Sequence, residues 1–190
     1  MIVIKMFDLQ SYIPTDCYKT VFEIDYNKLY EQGKRLLLFD LDNTLISYRE
    51  DKLSKETIDL FFNLQQRGFA VVLISNNTTS RLQTALDGYR LDYFANARKP
   101  FKKAFRKVLK SYHNITKDQI VLIGDQLMTD CLGARNFGID VILVKSIEKS
   151  SEKWYTRINR FFERKIIKRL YKYDPVTYQK IVAIGGLNEK

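Results

Sequence analysis

Four unbroken apolar runs limit what this chain can fold into: Leu36-Leu37-Leu38-Phe39, Phe69-Ala70-Val71-Val72-Leu73-Ile74, Ile120-Val121-Leu122-Ile123 and Val141-Ile142-Leu143-Val144. A strand with one wet face alternates apolar and polar residues, whereas a run with no polar position needs cover on both sides. Helix-like segments separate the runs. Ser54 caps a helix over 54–67 that Gly68 closes, and a second helix occupies 78–86. Pro100, at the first helical position, opens a third helix to 110, and Thr129 caps a fourth that ends at Gly138. A short strand over 92–95 falls between the second and third helices. Strand and helix in alternation make an α/β fold, a doubly wound parallel sheet with helices on both faces.

The 190 residues suffice for one domain, 1–190, with a core over 34–146, an N-terminal segment 1–33, a helical extension 150–173 and a tail 174–190. Within the N-terminal segment, 25–32 reads as a short helix closed by Gly33. No apolar run approaches the ~18 residues needed to span a bilayer. The apolar start, 1–7, is broken by Lys5 and lacks the pattern of a signal peptide, so the expected location is cytoplasmic. Cys17 and Cys131 share no metal-ligand spacing and read as reduced thiols. A single histidine, His113, excludes mechanisms that need several, as metal ligands or as a phosphorylated nucleophile. The net charge of +10 favours phosphate-rich partners, either nucleic acid or an anionic membrane surface.

In open parallel sheets ligands bind beyond the carboxyl ends of the strands. The polar residues that follow the strands are Asp40 and Asp42, Ser75 and Asn76, Arg98 and Lys99, and Asp125 with Asp130. Two carboxylates two positions apart can point into one crevice, where they repel and one tends to keep its proton. A divalent cation relieves that repulsion, and an all-oxygen donor set suits Mg²⁺, which bridges to substrate phosphate. One carboxylate can then attack phosphorus, while the second protonates the leaving group and later activates water. Ser75 and Lys99 can hold the phosphoryl oxygens as charge develops. Taken singly, each is ordinary: Asp-x-Asp as a turn or cap, Ser75 as a cap, Lys99 as a solvated lysine, Asp125 and Asp130 as cap residues. The signal is that all fall, in order, at strand ends.

These residues carry a resemblance. Asp40-Leu41-Asp42-Asn43-Thr44-Leu45, Ser75-Asn76-Asn77, Ala97-Arg98-Lys99-Pro100 and Gly124-Asp125-Gln126-Leu127-x-Thr129-Asp130 resemble the four motifs of the haloacid dehalogenase (HAD) superfamily. In detail they resemble YqeG-type phosphatases of subfamily IIIA, a group similar to phosphatidylglycerophosphate phosphatases. The resemblance implies a Rossmann-like sheet, Asp40 as nucleophile and Asp42 as general acid/base. It implies Mg²⁺ held by the Asp40 and Asp125 side chains and the Asp42 main-chain carbonyl, phosphate held by Ser75 and Lys99, and Asp130 supporting the metal site or Lys99. Asn43, Thr44, Asn76 and Asn77 are further candidates for touching the substrate.

A cap domain that encloses small substrates has no room here: 43–54 is a loop of normal length, and 77–99 is filled by one helix and one strand. An uncapped site suits a phosphate presented on a large body. In 152–173 the apolar residues Trp154, Tyr155, Ile158, Phe161, Phe162, Ile166, Ile167, Leu170 and Tyr171 follow steps of three and four, amid eight basic residues and only Glu152 and Glu163. Such a helix fits peripheral contact with an anionic membrane, on its inner face, or else packs its stripe on the sheet. The expected substrate is therefore an anionic phospholipid, phosphatidylglycerophosphate converted to phosphatidylglycerol. The alternatives are the same chemistry on nucleic-acid ends or a phosphoprotein, and a catalytically silent scaffold. No dedicated nucleic-acid module stands out, and no obligate protein partner is expected. The apolar stretch 181–186 is open to reading as a strand, lid or tail.

Overall fold

A computed structural model describes residues 8–148, 150, 152 and 154–186. The apolar start 1–7 and the end of the tail, 187–190, lie outside the described residues, as do 149, 151 and 153. Strands β1 (Asp16–Tyr18), β2 (Leu36–Phe39), β3 (Ala70–Ile74), β4 (Asp92–Phe94), β5 (Ile120–Gly124) and β6 (Asp140–Val144) form one sheet in the order β1-β6-β5-β2-β3-β4. Every neighbouring pair is parallel, and Leu36 of β2 registers with Ala70 on one side and Ile120 on the other. The chain moves from β2 outward through β3 to β4, then crosses back to lay β5 and β6 on the far side. The reversal lies between β2 and β5, where the crevice of an open sheet forms.

The helices are α1 (Tyr26–Glu31), α2 (Lys55–Gln66), α3 (Thr79–Leu86), α4 (Lys103–Ser111), α5 (Leu132–Phe137), α6 (Trp154–Tyr173) and α7 (Pro175–Ala183). Leu37 and Phe39 pack with Phe61 of α2 and Leu82 of α3, whereas Leu36 and Leu38 pack with Phe105 of α4, Phe137 of α5 and Leu170 of α6. Both faces of β2 are therefore sealed, which is why its sequence carries no polar position. Truncating Phe61 or Phe105 to alanine in so closed a core costs about 3–5 kcal/mol. The expected cap at Ser54 forms, accepting from the Thr57 N–H, and Asp25 and Thr78 likewise cap α1 and α3 by accepting from the Lys28 and Arg81 N–H groups.

Several local expectations fail. The helix expected to open at Pro100 starts at Lys103, because 98–101 is a turn in which the Phe101 N–H donates to the Arg98 carbonyl at 2.9 Å. Thr129 caps nothing. It lies within a wide π-type turn, Leu127–Cys131, that runs straight into α5, and the Asp130 and Cys131 N–H groups both donate to the Gln126 carbonyl at 2.9 and 3.2 Å. The stretch 181–186 is not a strand: 181–183 complete α7, which Asp174 caps by accepting from the Thr177 N–H, 184–186 form a turn, and Ile181 and Ile184 are buried. Strand β1 has no apolar run to announce it, being a half-buried edge strand on β6.

The stripe of α6 does not pack on the sheet as a whole. Its inner face is Thr156, Arg160, Glu163, Ile167 and Leu170, while Trp154, Ile158, Phe161 and Phe162 stand exposed. No helix among the described residues is long and apolar enough to cross a membrane.

Candidate active site

Asp40 is the first residue past β2, and its N–H still donates to Ile123 of β5 at 2.9 Å, so the sheet fixes its backbone. Asp125 follows β5, and Asp130 projects from the π-type turn. One oxygen from each of Asp40, Asp125 and Asp130 falls within 4.8 Å of the others. Lys99 bridges two of them: its Nζ is 2.6 Å from Asp40 Oδ1 and 2.7 Å from Asp130 Oδ1. Thr44 Oγ1 lies 3.5 Å from Asp40 Oδ2 and 3.4 Å from Asp125 Oδ1.

Asp130 reaches this position because Gly124 has no side chain. A Cβ at Gly124 would sit 2.4 Å from Asp130 Cγ. The Asp130 carboxylate instead accepts from the Gln126 N–H at 3.1 Å, closing the π-type turn from inside.

Asp42 lies on the rim. Arg81 Nε and Asn77 Nδ2 each donate to its carboxylate at 3.1 Å. Its side chain is not part of the three-acid cluster, which leaves only its main chain as the donor the resemblance implies. Ser75 is buried, and its Oγ accepts from the Asn77 N–H at 3.1 Å. Asp40, Asp42, Ser75, Asn76, Asn77 and Lys99 together line a cavity of about 50 Å³.

Two candidate substrate contacts serve elsewhere. Asn43 is wholly buried, adopts a left-handed backbone (φ 66°), and its side chain donates to Glu152 at 3.2 Å and accepts from the Glu148 N–H at 3.4 Å. It ties the loop after β2 to the segment before α6. Thr44 sits behind the carboxylates rather than on the cavity wall. Asn76 has a double grip on Lys99, accepting from its N–H at 2.6 Å and donating to its carbonyl at 3.1 Å.

Several participants have no local signal in the sequence. Tyr48, Gln126, Thr129 and Thr156 also line the cavity, and Arg81 orients Asp42. Arg160 reaches in from α6 to Asp125, with Glu152, Glu163 and Ser146 around it. In sequence Arg160 is one of eight basic residues in its tract, and nothing local sets it apart.

The electrostatics ask for a cation. Six buried carboxylates (Asp40, Asp42, Asp125, Asp130, Glu152, Glu163) face three cations, the buried Lys99 and the part-buried Arg81 and Arg160. Burial pushes the Asp40 carboxyl well above the usual carboxylate range; Lys99 opposes this, and Asp130 and Asp125 add to it. Burial likewise raises Asp130, with Asp125 adding. Burial acts to lower the Lys99 ammonium, but Asp130 and Asp40 outweigh it and hold its pKa above the ordinary value. Acids that resist ionisation in an all-oxygen cluster fit a hard divalent cation, which would supply the missing positive charge.

The model of the family described as HAD-hydrolase-like matches residues 96–160. The chain is also 31 % identical over 169 residues to "Probable phosphatase YqeG" of Bacillus subtilis, an alignment covering 89 % of this chain and 97 % of that protein. This chain belongs to the HAD superfamily, as a YqeG-type member. It is a HAD-family phosphatase, and a second curated relative, the glyceraldehyde 3-phosphate phosphatase of Pyrococcus furiosus, is 26 % identical over 113 residues, 54 % of this chain and 45 % of that protein. Among solved structures, the YfnB protein of Bacillus subtilis, bound to magnesium, superposes with a TM-score of 0.52 at 16 % identity, covering 59 % of this chain and 87 % of that one. A HAD family enzyme of Bacteroides thetaiotaomicron, in complex with magnesium and inorganic phosphate, gives 0.50 at 15 % identity, covering 66 % and 99 %. At these identities the likeness is one of HAD fold.

Proposed function

We propose that this HAD phosphatase uses Mg²⁺ and Asp40 to hydrolyse the phosphomonoester of an anionic phospholipid, phosphatidylglycerophosphate, to phosphatidylglycerol. Asp40, Asp125 and the Asp42 main chain would hold the ion, with Asp130 behind them, and the ion would neutralise phosphoryl charge. An Asp40 carboxylate oxygen attacks phosphorus, the ester P–O bond breaks, and the departing lipid oxygen takes a proton from Asp42. Asp42 then removes a proton from water, whose oxygen attacks the aspartyl-phosphate and frees inorganic phosphate and Asp40. Lys99 and Ser75 hold the phosphoryl oxygens, and Asn76 and Asn77 place Lys99 and Asp42.

What supports a lipid is the position of α6. Thr156 lines the cavity, while Trp154, 72 % exposed, and Ile158, 47 % exposed, sit two residues to either side and face solvent. Phe161 and Phe162 continue that surface, with Lys165 stacked 4.3 Å above the Phe161 ring. Arg157, Arg164, Lys165, Lys168, Arg169 and Lys172 are exposed along α6, whereas Glu152 and Glu163 are buried. An apolar face on a helix whose exposed charges, among the described residues, are all basic is suited to an anionic bilayer, with about 1 kcal/mol for each basic group near the surface. A phosphate at such a surface would lie beside the cavity mouth.

The test is release of inorganic phosphate from phosphatidylglycerophosphate in mixed micelles with Mg²⁺, beside nucleotide, sugar, oligonucleotide and phosphopeptide substrates, with Asp40→Asn as control. Preferred turnover of the lipid is the expected result. Good turnover of another phosphomonoester with none of the lipid would remove the lipid assignment and leave the phosphatase.

A further inference from the structure

We propose that Arg160 is a positioning residue of the cation site, and that α6 is thereby a working part of it. This rests on reading Asp125 as a cation ligand. The guanidinium engages Asp125 twice: Nη2 pairs with Oδ2, and Nη1 donates to the Asp125 carbonyl at 2.9 Å. Ser146 Oγ also donates to Oδ2, at 2.9 Å, and itself accepts from Arg160 at 2.9 Å. Oδ2 is therefore occupied, and the carboxylate cannot turn. Oδ1, 3.4 Å from the Thr44 hydroxyl that also reaches Asp40 Oδ2, is left as the oxygen available to an ion.

The same guanidinium joins the two segments that carry the three acids, the loop after β2 and the stretch between β5 and α5. Its Nε donates to Glu152 Oε1 at 2.9 Å, and that oxygen accepts from Asn43, in the loop that begins with Asp40. Its Nη1 lies 2.9 Å from Glu163 Oε2, and Glu163 Oε1 accepts from the Met128 N–H at 3.0 Å, in the turn that carries Asp130. Arginine is the side chain that can do this, because its planar fork offers five donors in fixed directions, whereas lysine offers one point charge. Groups that orient a metal ligand from behind typically set metal affinity by about 10–100-fold.

The test uses the full chain, freed of metal, with Mg²⁺ alone as probe. Isothermal titration without substrate compares wild type, Arg160→Lys and the double variant Arg160→Gln/Glu152→Gln, which removes one charge of each sign and keeps the cluster's net charge. Lys107→Gln, an exposed change on α4, is the control. Both Arg160 variants should bind Mg²⁺ at least about 10-fold more weakly, with Lys107→Gln unchanged and a cooperative metal-free melt retained. If Arg160→Lys does not fold, the charge-conserving double variant carries the comparison. Affinity within twofold of wild type would overturn the proposal. So would tighter binding, which would make the guanidinium a competitor of the ion. Wild type that binds no Mg²⁺ at all would instead overturn the underlying reading of Asp125.

Discussion

Placing a methyl group on Gly124 should damage both the stability and the chemistry of this phosphatase, through one neighbour. The new Cβ would lie 2.4 Å from Asp130 Cγ, 2.5 Å from Oδ2 and 2.8 Å from Cβ. Carbon atoms settle at about 3.5–4.0 Å, so something must move by roughly 1 Å. Asp130 cannot swing aside freely: it is wholly buried, accepts from the Gln126 N–H at 3.1 Å and lies 2.7 Å from Lys99. Overpacking costs about 1–3 kcal/mol, and weakening a hydrogen bond to a charged group adds about 1.5–3 kcal/mol. Removing a glycine from a strand returns about 0.5–1 kcal/mol. The net loss is about 2–5 kcal/mol, or roughly 4–20 °C in Tm for a chain of this size. Urea unfolding of metal-free protein measures it. In an Asp130→Ala background two of the three clashing atoms are gone, so the cost of Gly124→Ala should drop by more than about 1 kcal/mol. An equal cost in both backgrounds, or no cost in wild type, would refute the steric argument.

Asp40→Asn should reduce hydrolysis of p-nitrophenyl phosphate by about 10³-fold or more, since the amide is no nucleophile, while the fold keeps a cooperative melt; comparable rates in the two proteins would rule out Asp40 as the attacking group. Asp130 holds a raised pKa in the fold, so the folded protein keeps a proton that the unfolded chain releases above about pH 4. Stability then falls as pH rises from that point through the folded value, and metal-free wild type should lose ground relative to Asp130→Asn across this window in urea titrations; a gap that widens in favour of wild type would contradict the sign. Trp154→Glu/Phe161→Glu should abolish co-sedimentation with anionic vesicles and leave hydrolysis of p-nitrophenyl phosphate within about twofold, because both side chains are exposed. Undiminished vesicle binding would remove α6 as the membrane face.

How much was legible follows from where each signal is stored. The four apolar runs announce β2, β3, β5 and β6 because burial on both faces forbids a polar residue at any position. Asp40, Ser75, Lys99 and Asp125 are visible because strand ends open on a single crevice. Strand β1 gave no warning, since a half-buried edge strand needs no apolar run. Thr129 looked like a cap because Thr before an apolar stretch usually is one; here Asp130 turns inward and closes the turn in its place. Asn43 looked like a substrate contact because of its place in a motif, but its partners, Glu152 and Glu148, lie more than a hundred residues away.

The sequence by itself determined the four apolar strands, the helices between them and the identity of the acids, hydroxyl and lysine at the strand ends, because burial on both faces is enforced residue by residue. Only the tertiary structure decided which face of α6 is wet and which enters the site. Spacing shows that Arg160 and Glu163 share a helix face with Ile167, but not that the sheet end meets that face with a carboxylate. Charge pairing across 35 residues of chain, from Asp125 to Arg160, leaves no local pattern, and it is that pairing that joins α6 to the phosphatase centre.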